Sequence, residues 1–599
     1  MLSFKRLISS CAMGALAVAM VAPVAIMAQE TTADIRGAIS GNNAAIANAN
    51  IVITHIASGT RATAKTDASG VFVISGLRAG GPYNVDVDAS GFQGATVSDV
   101  YLSVSEPFNM ALALKPVTGE TIVVQGTRTG IVRADGTVTA LRKDTIDSLV
   151  VVNRDIRELA RLSPLATANT FGDGGISIAG SNPRTNRVTI DGVAAQDDFG
   201  LNTGGLPTRR GPVSVDAISQ FNISATPFDV RNGGFLGGAI DLVLASGDNK
   251  LHGTLFGKFQ DEKLTGSWID GTRVKTVVDQ TNYGATLRGP IIKDKLFYAL
   301  SYETFETSDG NSRGPADKGF VSTIVGPTGA NLVQADIDAV TNIYKNIYGG
   351  DRDLGSIAAS KPVTDEKYSL RLDYNITDKH RAAFTYRKAT SEVFNFTNLG
   401  ATTASLDSQW YMTGEDDETY TLQFNSSWTD KLSTEVRLSY RDYERLQEPP
   451  GGQNFSDVSV CTTATSLDAA SNPTITCGSS TGSGRAVVRF GPDQFRHANY
   501  LATKNTQGQF EARYAYVGQR RPAIFRKSFM QGTADNYSLK NELISTSIDW
   551  TPCSTGRDLM MTVDANIMAV TNSAQQAATV TIDSVDVEAG LLYAVQLRR

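Results

Sequence analysis

Along much of this chain apolar and polar residues alternate with a period of two, which places successive side chains on opposite faces of a strand. The pattern is clearest from about residue 251 onward. Tyr368, Leu370, Leu372 and Tyr374 share one face; Ser369, Arg371, Asp373 and Asn375 share the other. Thr377-Asp378-Lys379 is a tight turn, after which Ala382, Phe384 and Tyr386 oppose Arg381, Thr385 and Arg387. The module recurs at 420–424, through Trp428 to a turn over 429–431. Thr434, Val436, Leu438 and Tyr440 then oppose Glu435, Arg437, Ser439 and Arg441. An earlier copy covers 283–288, a turn over 289–294, and Leu296, Tyr298, Leu300 and Tyr302. Such strands suit a soluble sandwich with one wet face, or a membrane barrel. Two features favour the barrel. Tyr and Trp cap the apolar face at strand ends, as interfacial girdles do. Short turns (289–294, 377–379, 429–431) also alternate with long polar stretches (304–366, 389–418, 445–507). Arg371, Asp373, Glu435 and Arg437 would then line a wet lumen.

Ahead of these strands the rhythm differs. Residues 31–115 carry short alternating runs at 51–53, 70–74, 83–87, 97–102 and 110–114, with turn residues every 8–12 positions, the signature of a small β-sandwich. Thr66-Asp67-Ala68-Ser69-Gly70-Val71-Phe72 reads as a hairpin in which Asp67 bonds its own backbone and Gly70 supplies positive φ. A calcium loop there lacks the further carboxylates it needs. Pro116 opens a linker holding Glu120, Thr121, Ile122, Val123 and Val124, a β-prone pentapeptide. By composition it reads as an ordinary internal strand, or as a strand added to another protein's sheet edge. Residues 131–245 are mixed. One helix is expected over 144–162, with Ile146, Leu149, Val150, Ile156, Leu159 and Leu162 on its apolar face and Pro164 ending it. Strands are expected at 176–178 and 187–190. The glycine run at 233–238 fits neither phosphate-binding spacing, so tight turns are expected there.

Composition narrows the function. The 55 Lys and Arg against 61 Asp and Glu give a net charge of −6, which excludes a basic nucleic-acid surface as the main business of the chain. Mean hydropathy is −0.15, and after residue 28 no run approaches the roughly 20 apolar residues of a spanning helix. That excludes a helical membrane protein but not a β-barrel. Residues 1–28 read as a signal peptide: Lys5 and Arg6, an apolar core over 7–26, and Ala28 before Gln29. The other reading is an uncleaved anchor helix. Three cysteines follow. Cys461 and Cys477, 16 residues apart, suit a loop disulfide contributing about 3 kcal/mol in an oxidising compartment, or two free thiols. No Cys/His cluster suggests a metal site, and no cofactor is implied. Glu415, Asp416, Asp417 and Glu418 form a carboxylate run beside a long loop, read as a solvated tip rather than a catalytic pair. With no nucleophile elbow either, the chain does not read as an enzyme.

The order of parts carries a resemblance. The segment 66–72, with Leu77, Gly80, Tyr83, Gly91 and Phe92, resembles a carboxypeptidase regulatory-like domain. Stretches at 176–182, 187–192, 197–201, 213–218 and 227–235 resemble the plug of TonB-dependent outer-membrane receptors, and the turn at 290–295 resembles their first barrel turns. Taken together, the chain resembles the Oar-like group of that family. The resemblance implies a mainly β protein: signal peptide 1–28, β-sandwich 29–115, linker 116–130, α+β plug 131–245, and part of a transmembrane antiparallel barrel over 246–599. It implies residence in the bacterial outer membrane, with the sandwich and plug on the periplasmic side. It identifies 120–124 with a TonB box, which the TonB energy-transducing complex pairs with and pulls, driving import of a ligand. Arg187 and Arg231 are then expected to meet barrel-wall carboxylates as plug–barrel locks. The implied partners are TonB, outer-membrane lipids and an imported peptide, carbohydrate or siderophore; relatives that work with a lipoprotein lid extend this to a lipoprotein. The rival reading is a surface protein whose sandwich binds a partner and whose barrel only anchors. One departure stands out. Such barrels have about 22 strands, whereas about nine or ten are credible here, alternation fades beyond Trp550, and the chain ends Leu597-Arg598-Arg599 without a closing aromatic strand. A barrel cut short, which would not assemble as a working transporter, is the expectation.

Overall fold

A computed structural model describes most of residues 32–549 together with 567–570; residues 1–31, 118–121, 126–131, 226–235, 462–486, 493–501, 550–566 and 571–599 and some shorter interruptions lie outside the described residues. The expected signal peptide therefore lies outside them. Among the described residues no helix is long and apolar enough to cross a membrane.

The first unit is a sandwich of two sheets. In one, Thr32–Gly41 lies between Val71–Arg78 (antiparallel) and Phe108–Leu114 (parallel). The other has the order Arg61–Lys65, Asn50–His55, Gly80–Asp88, Ala95–Leu102, Ile122–Gln125. Alternation fixes which side faces in: Ile35, Ile51, Ile53, Phe72, Ile74, Val85, Val87 and Val97 meet in one apolar core. The hairpin forms as read. Asp67 Oδ1 accepts from Ser69 N at 2.8 Å and Val71 N at 2.9 Å, and Gly70 has φ +73°.

The middle unit is built on a six-stranded mixed sheet. Its order is Val132–Asp135, Val138–Arg142, Ile218–Ser224, Ala239–Leu244, Arg187–Ile190, Val193–Ala194. Ile190, Phe221, Ile223, Ile240 and Leu242 pack against Ile146, Ile156 and Leu159. The single helix expected over 144–162 is instead two short ones, Lys143–Ser148 and Ile156–Ala160. Leu149 is extended, and Asp155 starts a new helix by accepting from Arg157 N. The apolar spacing was real, but a cap inside the window split it. Ile146, Ile156 and Leu159 still reach the core.

The third unit is an eleven-stranded antiparallel sheet in the order His252–Asp261, Asp279–Ile292, Leu296–Gly310, Ser360–Thr377, His380–Asn395, Tyr411–Thr429, Leu432–Glu448, Ala502–Tyr516, Ala523–Ala534, Tyr537–Asp549, Ile567–Val570. Among the described residues it is an open wall, concave around the middle unit. Parity assigns the faces. Arg437 and Arg441 are 0% and 1% exposed, whereas Leu438 and Tyr440 between them are 43% and 47% exposed. Tyr302, Tyr368, Tyr386, Tyr420 and Tyr440 line up across neighbouring strands on the outer face, Tyr302 on Tyr368 and Tyr386 on Tyr420 with ring centroids about 5 Å apart. Glu366 and Glu418 accept from the hydroxyls of Tyr302 and Tyr386.

Three loop expectations change. The strand Asp279–Ile292 runs through most of the turn placed at 289–294. The central strands reach 14–19 residues, beyond the roughly 9–11 that span a bilayer, and consume the flanks of the long stretches. What remains of those stretches is not simply polar: the helix Gln334–Asn346 and strands Thr403–Ser405 and Val487–Phe490 share a small core of Ile324, Ile337, Leu354, Leu406, Val488 and Phe490. The carboxylate run is not a loop tip either. It lies on Tyr411–Thr429, so period two sends Glu415 and Asp417 to the buried inner face and leaves Asp416 and Glu418 outside.

Candidate functional site

The middle unit is fastened to the inner face of the wall by charge. The local sequence explains how its carboxylates are presented. Ile190 pairs with Val193 across a two-residue Asp191-Gly192 turn in which both residues have positive φ (47° and 73°). This is the Asp-Gly hairpin that matches strand twist. At its tip, Asp191 Oδ1 accepts from Leu244 N at 3.0 Å, while Oδ2 accepts from wall Arg371 at 2.8 Å and Thr385 at 3.4 Å. Arg437 donates to Gly192 O at 3.4 Å.

The next loop repeats the device. Asp197 folds its own loop by accepting from Phe199 N and Asn202 N. Asp198 is thereby aimed at the wall, 2.8 Å from Arg441 and 3.0 Å from Asn505. Phe199 stacks on Tyr443 at 5.4 Å, and Asn202 meets Arg445 at 3.2 Å. Behind this contact Asp417 ties two wall arginines together, Arg387 at 2.8 Å and Arg441 at 2.5 Å, all three side chains almost fully buried. A third contact has the opposite polarity. Wall Glu303 accepts from Ser214 at 2.7 Å and faces Arg210 at 3.5 Å and Arg154 at 3.8 Å. Arg154 and Arg210 also lie over the rings of Phe256 and Phe305. The seam is thus built on buried, paired charges.

The sandwich docks at the end of the wall that carries the short turns. Arg78 reaches Asp373 at 3.7 Å and donates to Gly247 O at 3.0 Å. Thr32 donates to Glu435, and Asn375 donates to Thr60 at 2.9 Å. Gln220 of the middle unit donates to Leu102 O at 2.6 Å. A cavity of about 360 Å³ lies where the three units meet, with His55, Arg78, Arg288, Arg371, Asp373 and Arg381 on its walls.

The residues expected to matter fall as follows. Ile122, Val123 and Val124 lie in the strand Ile122–Gln125, paired to the sandwich, while Glu120 and Thr121 lie outside the described residues. Arg187 is buried on the central sheet of the middle unit, 3.3 Å from Asp241 on the neighbouring strand. Arg231 and Cys477 lie outside the described residues; Cys461 ends the strand Val458–Cys461. The cross-seam pairs come from Asp191, Asp198, Arg154 and Arg210 on one side and Arg371, Arg441 and Glu303 on the other. Two signals pointed there: the 187–192 and 197–201 stretches stood out in the sequence, and Arg371, Arg437 and Arg441 share the polar parity.

Comparison with known proteins bears on this geometry. Residues 243–513 match the family model of the outer membrane beta barrel domain. Those residues thus carry an outer membrane beta barrel domain. Its barrel segment is preceded by a match over 34–115 to the carboxypeptidase regulatory-like domain, and residues 495–599 match a domain of unknown function. The chain is 26% identical over 345 residues to the TonB-dependent transporter Oar of Myxococcus xanthus, a match covering 54% of this chain and 30% of that one. The chain thus spans under a third of the length of that curated relative. Solved structures similar to the chain include the outer membrane transporter YddB from Escherichia coli (12% identity, TM-score 0.46, covering 74% of this chain and 59% of that one) and a ferric enterobactin receptor from Pseudomonas aeruginosa (13%, TM-score 0.37, 71% and 61%).

Proposed function

We propose that this chain is a TonB-dependent receptor that imports a ligand across the outer membrane, with the middle unit as its plug. The observation that carries this reading is how the plug is held. Apart from the Phe199–Tyr443 stack and two cation–π contacts, it meets the wall through ion pairs and polar hydrogen bonds at Asp191, Asp198, Arg210 and Glu303, not through a shared apolar core. Such contacts can be exchanged for water or ligand as the plug moves, whereas a continuous apolar core would have to be torn open. The 120–124 segment stands just ahead of the plug in the chain, and its described part, the strand Ile122–Gln125, offers backbone to which a TonB strand can add. A backbone-paired strand needs no pocket and resists a pull along its axis.

The test uses the full chain in detergent and the periplasmic domain of TonB as probe. Ile122→Pro removes a backbone donor from the segment. At least a tenfold loss of TonB binding with unchanged surface display is expected. Unchanged binding would leave the protein as an anchored surface module.

A further inference from the structure

The Ile122–Gln125 strand runs parallel to Ala95–Leu102, with Ala95 opposite Ile122, Thr96 opposite Val123, Val97 opposite Val124 and Ser98 opposite Gln125. It is the outermost strand of its sandwich sheet among the described residues. Without it, Ala95–Leu102 would itself be the edge, presenting unpaired N–H and C=O groups to solvent. The same Ala95–Leu102 strand is also fastened to the middle unit. Gln220 donates to Leu102 O at 2.6 Å and accepts from Val104 N at 3.4 Å, and Arg142 lies 4.6 Å over the Tyr101 ring. Gln220 is buried on the strand Ile218–Ser224, next to the central strand of that sheet. One strand of the sandwich therefore holds both the segment and the middle unit.

We propose that the Ala95–Leu102 edge is the resting dock of the TonB-binding segment, so that the sandwich sets when TonB can take it. This rests on the reading of 120–124 given above. In a parallel ladder, alternate residues direct both backbone groups to the same neighbour. A docked four-residue strand therefore has about half its groups paired to the sandwich. Its other edge is where TonB first engages. Full engagement strips the segment from the dock, one ladder replacing another, so the segment is never an unpaired coil that must be ordered from scratch. A pull on the docked segment first loads Ala95–Leu102, and through Leu102 and Gln220 it loads the sheet of the middle unit. The sandwich is thus a latch in the load path rather than a passive appendage.

The test is a cross-strand disulfide in the full chain, T96C with V123C, against an offset pair, S98C with V123C, and each single substitution. Directly opposed strand positions satisfy the Cα separation a disulfide requires, and an offset of two residues does not. The opposed pair is expected to oxidise at least tenfold faster than the offset pair; equal rates would overturn the dock. With the opposed pair oxidised, binding to the periplasmic domain of TonB is expected to fall at least tenfold and to return on reduction. Equal binding in both states would overturn the latch. A peptide of residues 116–131 separates the two claims: if it does not bind the TonB domain, the TonB reading fails, while the cross-linking result still decides the dock by itself.

Discussion

Arg441 of the wall and Asp198 of the middle unit lie 2.8 Å apart although they are 243 positions apart in the chain. Their side chains are 1% and 7% exposed, and Arg441 is held from behind by Asp417 at 2.5 Å. Removing that guanidinium would leave Asp198 with only its Asn505 hydrogen bond and Asp417 with only Arg387. The seam is therefore strong while dry and complete, and weak once one partner goes.

Arg441→Ala should accordingly loosen the middle unit rather than merely trim a contact. Removing one partner of a buried pair typically costs about 3–5 kcal/mol. The measurable consequence is faster hydrogen exchange and protease cleavage over 187–202 in the full chain. Asp198→Asn added to Arg441→Ala should recover part of the loss by removing one stranded charge. If the double substitution is as loose as the sum of the singles, the pair is not coupled.

How much of this was readable beforehand depends on the range of the interaction. Period two sorted Leu438 from Arg437 and Tyr374 from Asp373 without a structure, because strand parity is local. The Asp67–Gly70 hairpin was legible for the same reason. The helix over 144–162 was misread because apolar spacing does not register an internal cap at Asp155. Glu415 and Asp417 were misread because a strand of 19 residues stays alternating where a loop was expected. The partners of Asp191, Asp198 and Glu303 were invisible: each pairing spans about 90 residues or more, and any inner-face arginine would have served equally well on pattern alone.

Gly70 sits at φ +73°, and a Cβ built on it would fall 2.5 Å from Ile39 O. Gly70→Ala would pay the left-handed penalty and also push against fixed backbone. A loss of about 2 kcal/mol or more from the sandwich is expected, read as faster hydrogen exchange over 32–114. Asp67→Ala should be milder, about 1 kcal/mol, since it removes side-chain acceptors from an exposed turn. An equal effect of the two would mean that the turn, not the backbone conformation, sets the stability.

Leu438 points outward between two inner-face arginines, and Phe424 and Tyr440 face the same way. Leu438→Arg places a charge in lipid, at about 2–4 kcal/mol near the bilayer midplane. Folding of the full chain into phospholipid vesicles should drop for Leu438→Arg and much less for Leu438→Ala. A charge tolerated there would mean that this face does not meet lipid.

His55 gives the sandwich a pH dependence. The ring is buried, its Nδ1 accepts from Ser58 N at 3.2 Å, and it packs against Tyr83 at 4.7 Å. Burial, then the Arg78 and Arg381 guanidiniums, pushes its pKa down to about 3 from the ordinary 6.5. Between those values the unfolded chain binds a proton that the folded sandwich refuses, so stability rises with pH across the window. The contribution is fully present above about pH 6.5 and is lost as the pH falls toward 3. At pH 5 the loss is about 2 kcal/mol, from about 1.4 kcal/mol per pH unit. Because Arg78 also joins the sandwich to Asp373, an imidazolium beside it would repel the residue that docks the sandwich on the wall. Hydrogen exchange over 32–114 should therefore accelerate between pH 7 and pH 5 in the wild-type chain. In His55→Gln the protection should be lower at pH 7 but nearly flat over that range. A wild-type profile as flat as that of the variant would show that His55 does not titrate with folding.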